Sequence, residues 1–304
     1  MNTQTYSYDS IQKGSLSFSF AASIFGKRIR DRVVRLYAWC RYVDDQIDDE
    51  GQPLEKKMVV LKNLAKQSFD TLVSVDIAPA IKAFRELRDE IKLPIEQPID
   101  LLKGMSMDLC QQRYHTLQDL ELYCYRVAGV VGLMMTHVMG INDRRAYQHA
   151  VDLGLAMQLT NICRDIVTDA KLGRIYLPET WLQDAGLDPL PEVLLDPNNR
   201  AALIPIVDLL LGRAEELYSS GDQGLKYLPI RCAIAVAIAR EVYAAIGHEV
   251  LRLGPKAWDA RTWIPFPKKL LLGFRGLLKV LKTSPCRFRN RQLRRSRGSE
   301  TTLA

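Results

Sequence analysis

No stretch of this sequence approaches the roughly eighteen consecutive apolar residues that a membrane-spanning helix requires. The longest candidate, Cys232 to Ala239, is closed by Arg231 and Arg240. The opening residues, MNTQTYSYDS, lack a basic segment followed by an apolar one, so no secretory leader is expected. Six cysteines (Cys40, Cys110, Cys124, Cys163, Cys232 and Cys286) include no CxxC pair, and the four histidines offer no zinc spacing. A disulfide framework and a structural zinc site are therefore disfavoured, and free thiols in a reducing, cytoplasmic compartment are expected. Alternating strand-like runs bounded by Asn-Gly or Asp-Gly turns are missing, as is any repeat of solenoid period.

What is present is an ordinary globular composition, 47% hydrophobic and 25% charged over 304 residues, enough to bury one large core or two modest ones. The charge is uneven. Lys plus Arg is 42 and Asp plus Glu 35, a net +7; residues 265–304 hold eleven basic residues and only Glu300, so +10 lies there and −3 on residues 1–264. Basicity confined to one terminal segment, rather than to a groove interleaved with aromatics, argues against nucleic acid as a partner.

Apolar residues recur at three-and-four spacing, for example Val34, Tyr37, Ala38 and Val127, Val130, Val131, Met134. An all-α fold follows, with helices expected at about 28–50, 54–74, 76–92, 95–110, 117–140, 144–169, 201–220, 227–253 and 268–281. The Pro- and Asp-rich stretch from Pro178 to Pro197 reads as one long irregular segment, either a functional lid or a connector.

Two helical faces carry acids. In YAWCRYVDDQIDDE, Tyr37, Arg41, Asp44 and Asp48 fall within roughly 60° of each other on the helix circumference. Carboxylates one turn apart repel by a few tenths of a kcal/mol or more, a cost that a cation would offset. A solvated acidic surface is the plain alternative for this string taken alone. In QLTNICRDIVTDA, Gln158, Asn161, Asp165 and Asp169 share a face at i, i+3, i+7 and i+11, while Leu159, Ile162, Ile166 and Val167 between them are apolar. Buried carboxylates need a partner or a metal. Oxygen donors without histidine or thiol suit magnesium, which is typically held by a few carboxylates together with substrate phosphates. Two such helices facing one another would put acids on both walls of a central cavity. Ala128, Gly129 and Gly132 remove side-chain volume where either a neighbouring helix or a hydrocarbon substrate approaches.

These segments, together with SLSFSFA, DLCQQRY, YCYRVAGVVGLMM and GRIYLP, occur in an order that resembles the phytoene synthase branch of the squalene/phytoene synthase family from about Ser15 to Tyr243. The resemblance implies a single-domain isoprenoid-synthase bundle over residues 1–282 with a central active-site cavity. It also implies the head-to-head condensation of two geranylgeranyl diphosphates through prephytoene diphosphate to 15-cis-phytoene, with magnesium, or manganese in its place, and no nicotinamide reductant. By motif, Asp44 and Asp48 form one metal-binding set and Asn161, Asp165 and Asp169 the other. Gln158, Arg41, Arg164, Arg174, Tyr37, Ser15 and Ser17 would bind substrate, and Tyr125 and Tyr243 would be active-site tyrosines. Arg261, in AWDARTW, is a looser match to a late family arginine. Leu16 stands where the family carries a basic residue, so the contact made there has no counterpart at that position. The family alternative is a squalene or dehydrosqualene synthase acting on farnesyl diphosphate; a non-catalytic assembly factor would be expected to have lost some of the carboxylates. Asn in place of Asp48 or Asp165 is expected to abolish turnover without unfolding the chain.

The segment KKLLLGFRGLLKVL places Leu270, Phe274, Leu277, Leu278 and Leu281 on one helical face. Residues 283–304 carry six arginines against Glu300 alone and are expected to remain disordered. An interfacial helix with a basic extension suits peripheral contact with the inner face of a membrane; the alternative is a core-packing last helix with a solvated tail.

Overall fold

Each amphipathic stretch has one apolar face to bury, and the chain buries them by gathering helices around a single long rod. The computed structural model describes Ser7 and residues 24–47, 52–70 and 77–283, and contains no strand among them. Ser15, Ser17, Asp48, Cys286 and the arginine-rich segment from Ser284 onward lie outside the described residues.

The first four helices are α1 (Lys27–Ile47), α2 (Leu54–Phe69), α3 (Pro79–Ile91) and α4 (Glu96–Leu109). They enclose an apolar core in which Trp39 stacks on Phe84 at 4.0 Å and donates its indole N–H to Ser68 at 2.9 Å. Helix α5 (Leu117–Cys124) starts at a Thr116–Asp119 capping box and runs through a π-helical turn, Tyr125–Gly129, into α6 (Val130–Val138). The sequence reads 117–140 as one regular helix, whereas the ladder widens for that turn. A short connection then leads antiparallel into the central rod, α7 (Arg145–Lys171), about 40 Å long at 1.5 Å per residue.

Glycines set how closely the rod is approached. A Cβ at Gly132 would lie 2.1 Å from the Ala150 carbonyl oxygen, and one at Gly154 2.4 Å from that of Ala128, so α6 and the π-turn before it touch α7 backbone to backbone. Helix α10 (Arg200–Gly224) also approaches the rod through glycines, Gly221 against the Leu153 side chain and Gly224 against that of His149. Helix α11 (Ile230–Leu253) completes the wall, and Trp258 of the following 3-10 turn donates to the Cys163 carbonyl at 3.0 Å.

The irregular stretch expected between Pro178 and Pro197 proves to be folded and pinned. It contains α8 (Glu179–Asp184) and α9 (Pro191–Leu195), and it buries Leu182, Leu187 and Leu194. The Glu179 amide donates to the Tyr114 carbonyl at 2.9 Å, and Arg113 donates to the Pro189 carbonyl. It is a packed connector. Helix α12 (Phe266–Lys282) lies on α11, where a Cβ at Gly276 would come within 3.0 Å of the Ala237–Ile238 backbone. Five cysteines, Cys40, Cys110, Cys124, Cys163 and Cys232, are free, and burial pushes the Cys124 and Cys163 thiols well up.

Candidate active site

The glycines and alanines of α6, α7, α10 and α11 leave a cavity of about 280 Å³ between these helices. Every third or fourth residue of α7 from Ala146 to Asn161 lines it, a run of about 22 Å along the helix axis. The other walls bring Val131 and Met135 from α6, Met139 just after it, and Ala235, Val236 and Ala239 from α11. Polarity gathers at one end, where Gln158, Asn161 and Tyr243 reach the wall. Thr136 and His149 are the polar lining residues further along; Thr136 donates to the Leu133 carbonyl at 2.7 Å, and His149 bonds Ser220 at 2.9 Å, which in turn bonds Asp152. Burial lowers the affinity of His149 for a proton, so this stretch of wall stays uncharged.

Beyond Asn161 the same helix face leaves the apolar wall and becomes charged. Arg164 grips the Asp165 carboxylate with two bonds, at 2.9 and 2.5 Å, and Arg261 approaches it to 3.6 Å. The loose sequence match at Arg261 thus falls beside the acidic stripe. Asp169 lies one turn on, lining a small recess with Arg174 and Tyr176. Burial first, and the Asp165 carboxylate second, push its acid up to about 7, against the pull of Arg174 and Arg164. On α1, Arg41 pairs with Asp44 at 3.3 Å and with Asp45 at 2.6 Å. Burial raises the Tyr37 hydroxyl on the same face. Tyr125 sits on the π-turn, where its charged neighbours are Asp100 and Lys103 of α4, and it is not among the cavity residues.

The residue missed in the sequence is Asp108. Its two oxygens accept from the hydroxyls of Tyr123 at 3.1 Å and Tyr176 at 2.8 Å, and its charge adds to the pressure on Asp169. The signal was in DLCQQRY, but its partners come from two later segments, Tyr123 and Tyr176.

The donors fit a hard cation. Asn161 Oδ1 is buried and accepts no hydrogen bond among the described residues, while its amide N–H reaches only Gln158 at 3.4 Å. Asp169 adds an acid whose charged form is disfavoured without a cation. Among the described residues no three His, Cys, Asp or Glu side chains form a metal cage by themselves. Asn161 Oδ1 and the Asp169 carboxylate are hard oxygen donors of the type magnesium takes alongside phosphate oxygens.

Because a metal ligand must be deprotonated, magnesium affinity should rise as pH increases through about 7, with proton uptake by the buffer on binding. The linkage for apo stability has the opposite sign. The folded pKa lies above the unfolded one of about 3.9, so Asp169 costs nothing below pH ~4, and its penalty grows towards pH 7. Calorimetric titration in two buffers of different ionisation enthalpy measures the first effect, and a pH series of melting temperatures the second. Asp169→Asn should flatten both.

A helical bundle enclosing an apolar cavity with oxygen donors at one end is the all-α isoprenoid-synthase fold. A dehydrosqualene synthase solved with ligand superposes with a TM-score of 0.80 at 29% identity, covering 90% of this chain and 95% of that one. The squalene/phytoene synthase family matches residues 11–268, and the chain belongs to that family. The phytoene synthase of Pseudescherichia vulneris is 45% identical over 82% of each chain. The 15-cis-phytoene synthase of Enterobacter agglomerans is 42% identical over 86% of this chain and 90% of its own.

Proposed function

We propose that this protein is a magnesium-dependent 15-cis-phytoene synthase, a prenyltransferase joining two geranylgeranyl diphosphates through prephytoene diphosphate. The observation that carries the reading is the length of the cavity measured from its polar end. A geranylgeranyl chain is roughly 19 Å fully extended at about 1.25 Å per bond, and a farnesyl chain roughly 14 Å. The 22 Å or so from Asn161 to Ala146 takes the longer chain and leaves the shorter one a turn and a half of empty wall.

Asn161, Asp165 and Asp169, with Asp44 and Asp48, would hold magnesium, or manganese in its place. Bound there, the metal supplies Lewis acidity to the departing diphosphate. Arg164 and Arg174, joined by Arg41 and Tyr37 of α1 and by Ser15 and Ser17, would bind the diphosphates, and Gln158 would orient the first carbons. Tyr243, where the polar end meets the apolar wall, would border the allylic cation that forms when the C–O bond breaks. No reductant is needed, since phytoene retains the oxidation level of its precursors. A cytoplasmic enzyme in peripheral contact with the membrane fits a water-insoluble product.

Turnover of each diphosphate with magnesium, with products identified by chromatography, tests the reading. Phytoene formation from geranylgeranyl diphosphate should exceed C30 formation from farnesyl diphosphate, and the reverse preference would overturn the assignment. Ala150→Phe should fill the far end of the cavity, leaving about 16 Å from Asn161, enough for the C15 chain but not for the C20 chain. Its kcat/KM for geranylgeranyl diphosphate is expected to fall roughly tenfold or more relative to farnesyl diphosphate.

A further inference from the structure

Helix α12 divides its circumference in a way the sequence left open. Leu272, Gly276 and Val280, at i, i+4 and i+8, are buried against α11. Lys279 fixes that rotation by pairing with both Asp222 of α10 and Glu241 of α11 at 2.6 Å. The opposite arc is apolar and exposed: Phe266, Leu270, Leu271, Phe274, Leu278 and Leu281 span about 140° of the helix surface. Trp263, 69% exposed, stands just ahead of the helix. Beyond the edge of this arc lie Arg275 and Lys282, both exposed. The helix is therefore core-packing on one side and apolar towards solvent on the other, which neither sequence alternative described. An exposed apolar surface of this extent on one element marks an interaction site.

The charge says what covers it. Residues 263–283 carry Lys268, Lys269, Arg275, Lys279 and Lys282 and no acid, and residues 284–304 add six arginines against Glu300. A second copy docking through the same face would bring these like charges together, whereas a surface both anionic and able to accept apolar side chains satisfies both features. We infer that the Trp263–Leu281 face is a docking surface for an anionic lipid bilayer, the aromatic and leucine side chains entering the headgroup boundary and the flanking cations meeting lipid phosphate. The arginine-rich segment adds long-range attraction that salt screens; the apolar face supplies the component that salt leaves in place. The choice of a lipid surface rests in part on the proposed lipid substrate and product, and turnover in detergent tests that reading independently of the docking face.

Of the four tryptophans, Trp39 and Trp258 are buried, Trp181 is half-buried and Trp263 is exposed, so the difference in emission between the parent and Trp263→Phe reports on the surroundings of Trp263. With the full chain, vesicles of phosphatidylcholine containing about a third phosphatidylglycerol should blue-shift the emission, and brominated acyl chains should quench it, with Trp263→Phe removing both effects. The triple variant Phe266→Ser, Leu270→Ser, Phe274→Ser should turn over detergent-solubilised substrate as the parent does, yet lose at least about tenfold in vesicle partitioning at both low and high salt. Truncation after Thr283 should lose binding chiefly at low salt. Equal quenching of the parent and of Trp263→Phe on vesicles, meaning that Trp263 itself is not reached by the brominated chains, would overturn the inference. So would equal partitioning by a folded triple variant, or a parent dimer that the triple variant converts to monomer.

Discussion

Asp169→Asn is expected to lose more activity than the roughly 10–100-fold typical of a residue that merely supports a metal ligand, while the apo protein melts at a higher temperature than the parent at pH 8. The two effects share one cause. Asp169 is a desolvated acid facing Asp165, so its charge is held at a cost in the apo protein and is useful only when a cation arrives. Asparagine keeps the shape and removes the charge. Asp165→Asn should behave differently, and here the structure revises what its motif suggests. Asp165 already receives two bonds from Arg164, whose side chain is only 11% exposed. Losing the carboxylate strands that guanidinium, so turnover should vanish and the melting temperature should fall, by the equivalent of about 1–3 kcal/mol. Magnesium-dependent turnover and melting of the two variants side by side decide the matter. Near-normal activity in both would remove the α7 stripe as the metal site.

The second large effect is expected at the α6–α7 contact. Gly132→Ala and Gly154→Ala should each destabilise the protein by about 2–4 kcal/mol, because the added Cβ meets a backbone carbonyl oxygen at 2.1 or 2.4 Å. Neither neighbour can turn away as a side chain could, so the two helices must part. Gly212→Ala serves as the control: it lies on α10 with nothing within 4 Å, so the gain in helix propensity should stabilise by up to about 1 kcal/mol. Denaturant midpoints for the three variants provide the comparison. If the α6–α7 pair melted like the control, the close approach of these helices would be wrong. Because Gly132 and Gly154 also line the cavity, residual activity in a folded variant should show altered chain-length preference.

The glycines show where reading the sequence stops. Packing and substrate channel were alternatives in YRVAGVVGLMM; folded, Gly132 does both, one side against Ala150 and the other on the cavity wall. Sequence alone fixed whatever is periodic within one helix: the helical character of the chain, the stripe from Gln158 to Asp169, and the clustering of Arg41 with Asp44. It determined these because side chains three and four apart share a face wherever the helix goes. The π-turn at Tyr125–Gly129 was not legible, since widening one turn depends on neighbours such as Gly104, which packs against Val127 and Arg126. Nor was Asp108, whose tyrosines lie 15 and 68 positions away. Tertiary structure alone decided the exposed arc of α12: KKLLLGFRGLLKVL offers apolar residues around most of its circumference, and only the seating of Leu272, Gly276 and Val280 on α11 determines which are buried and which face solvent.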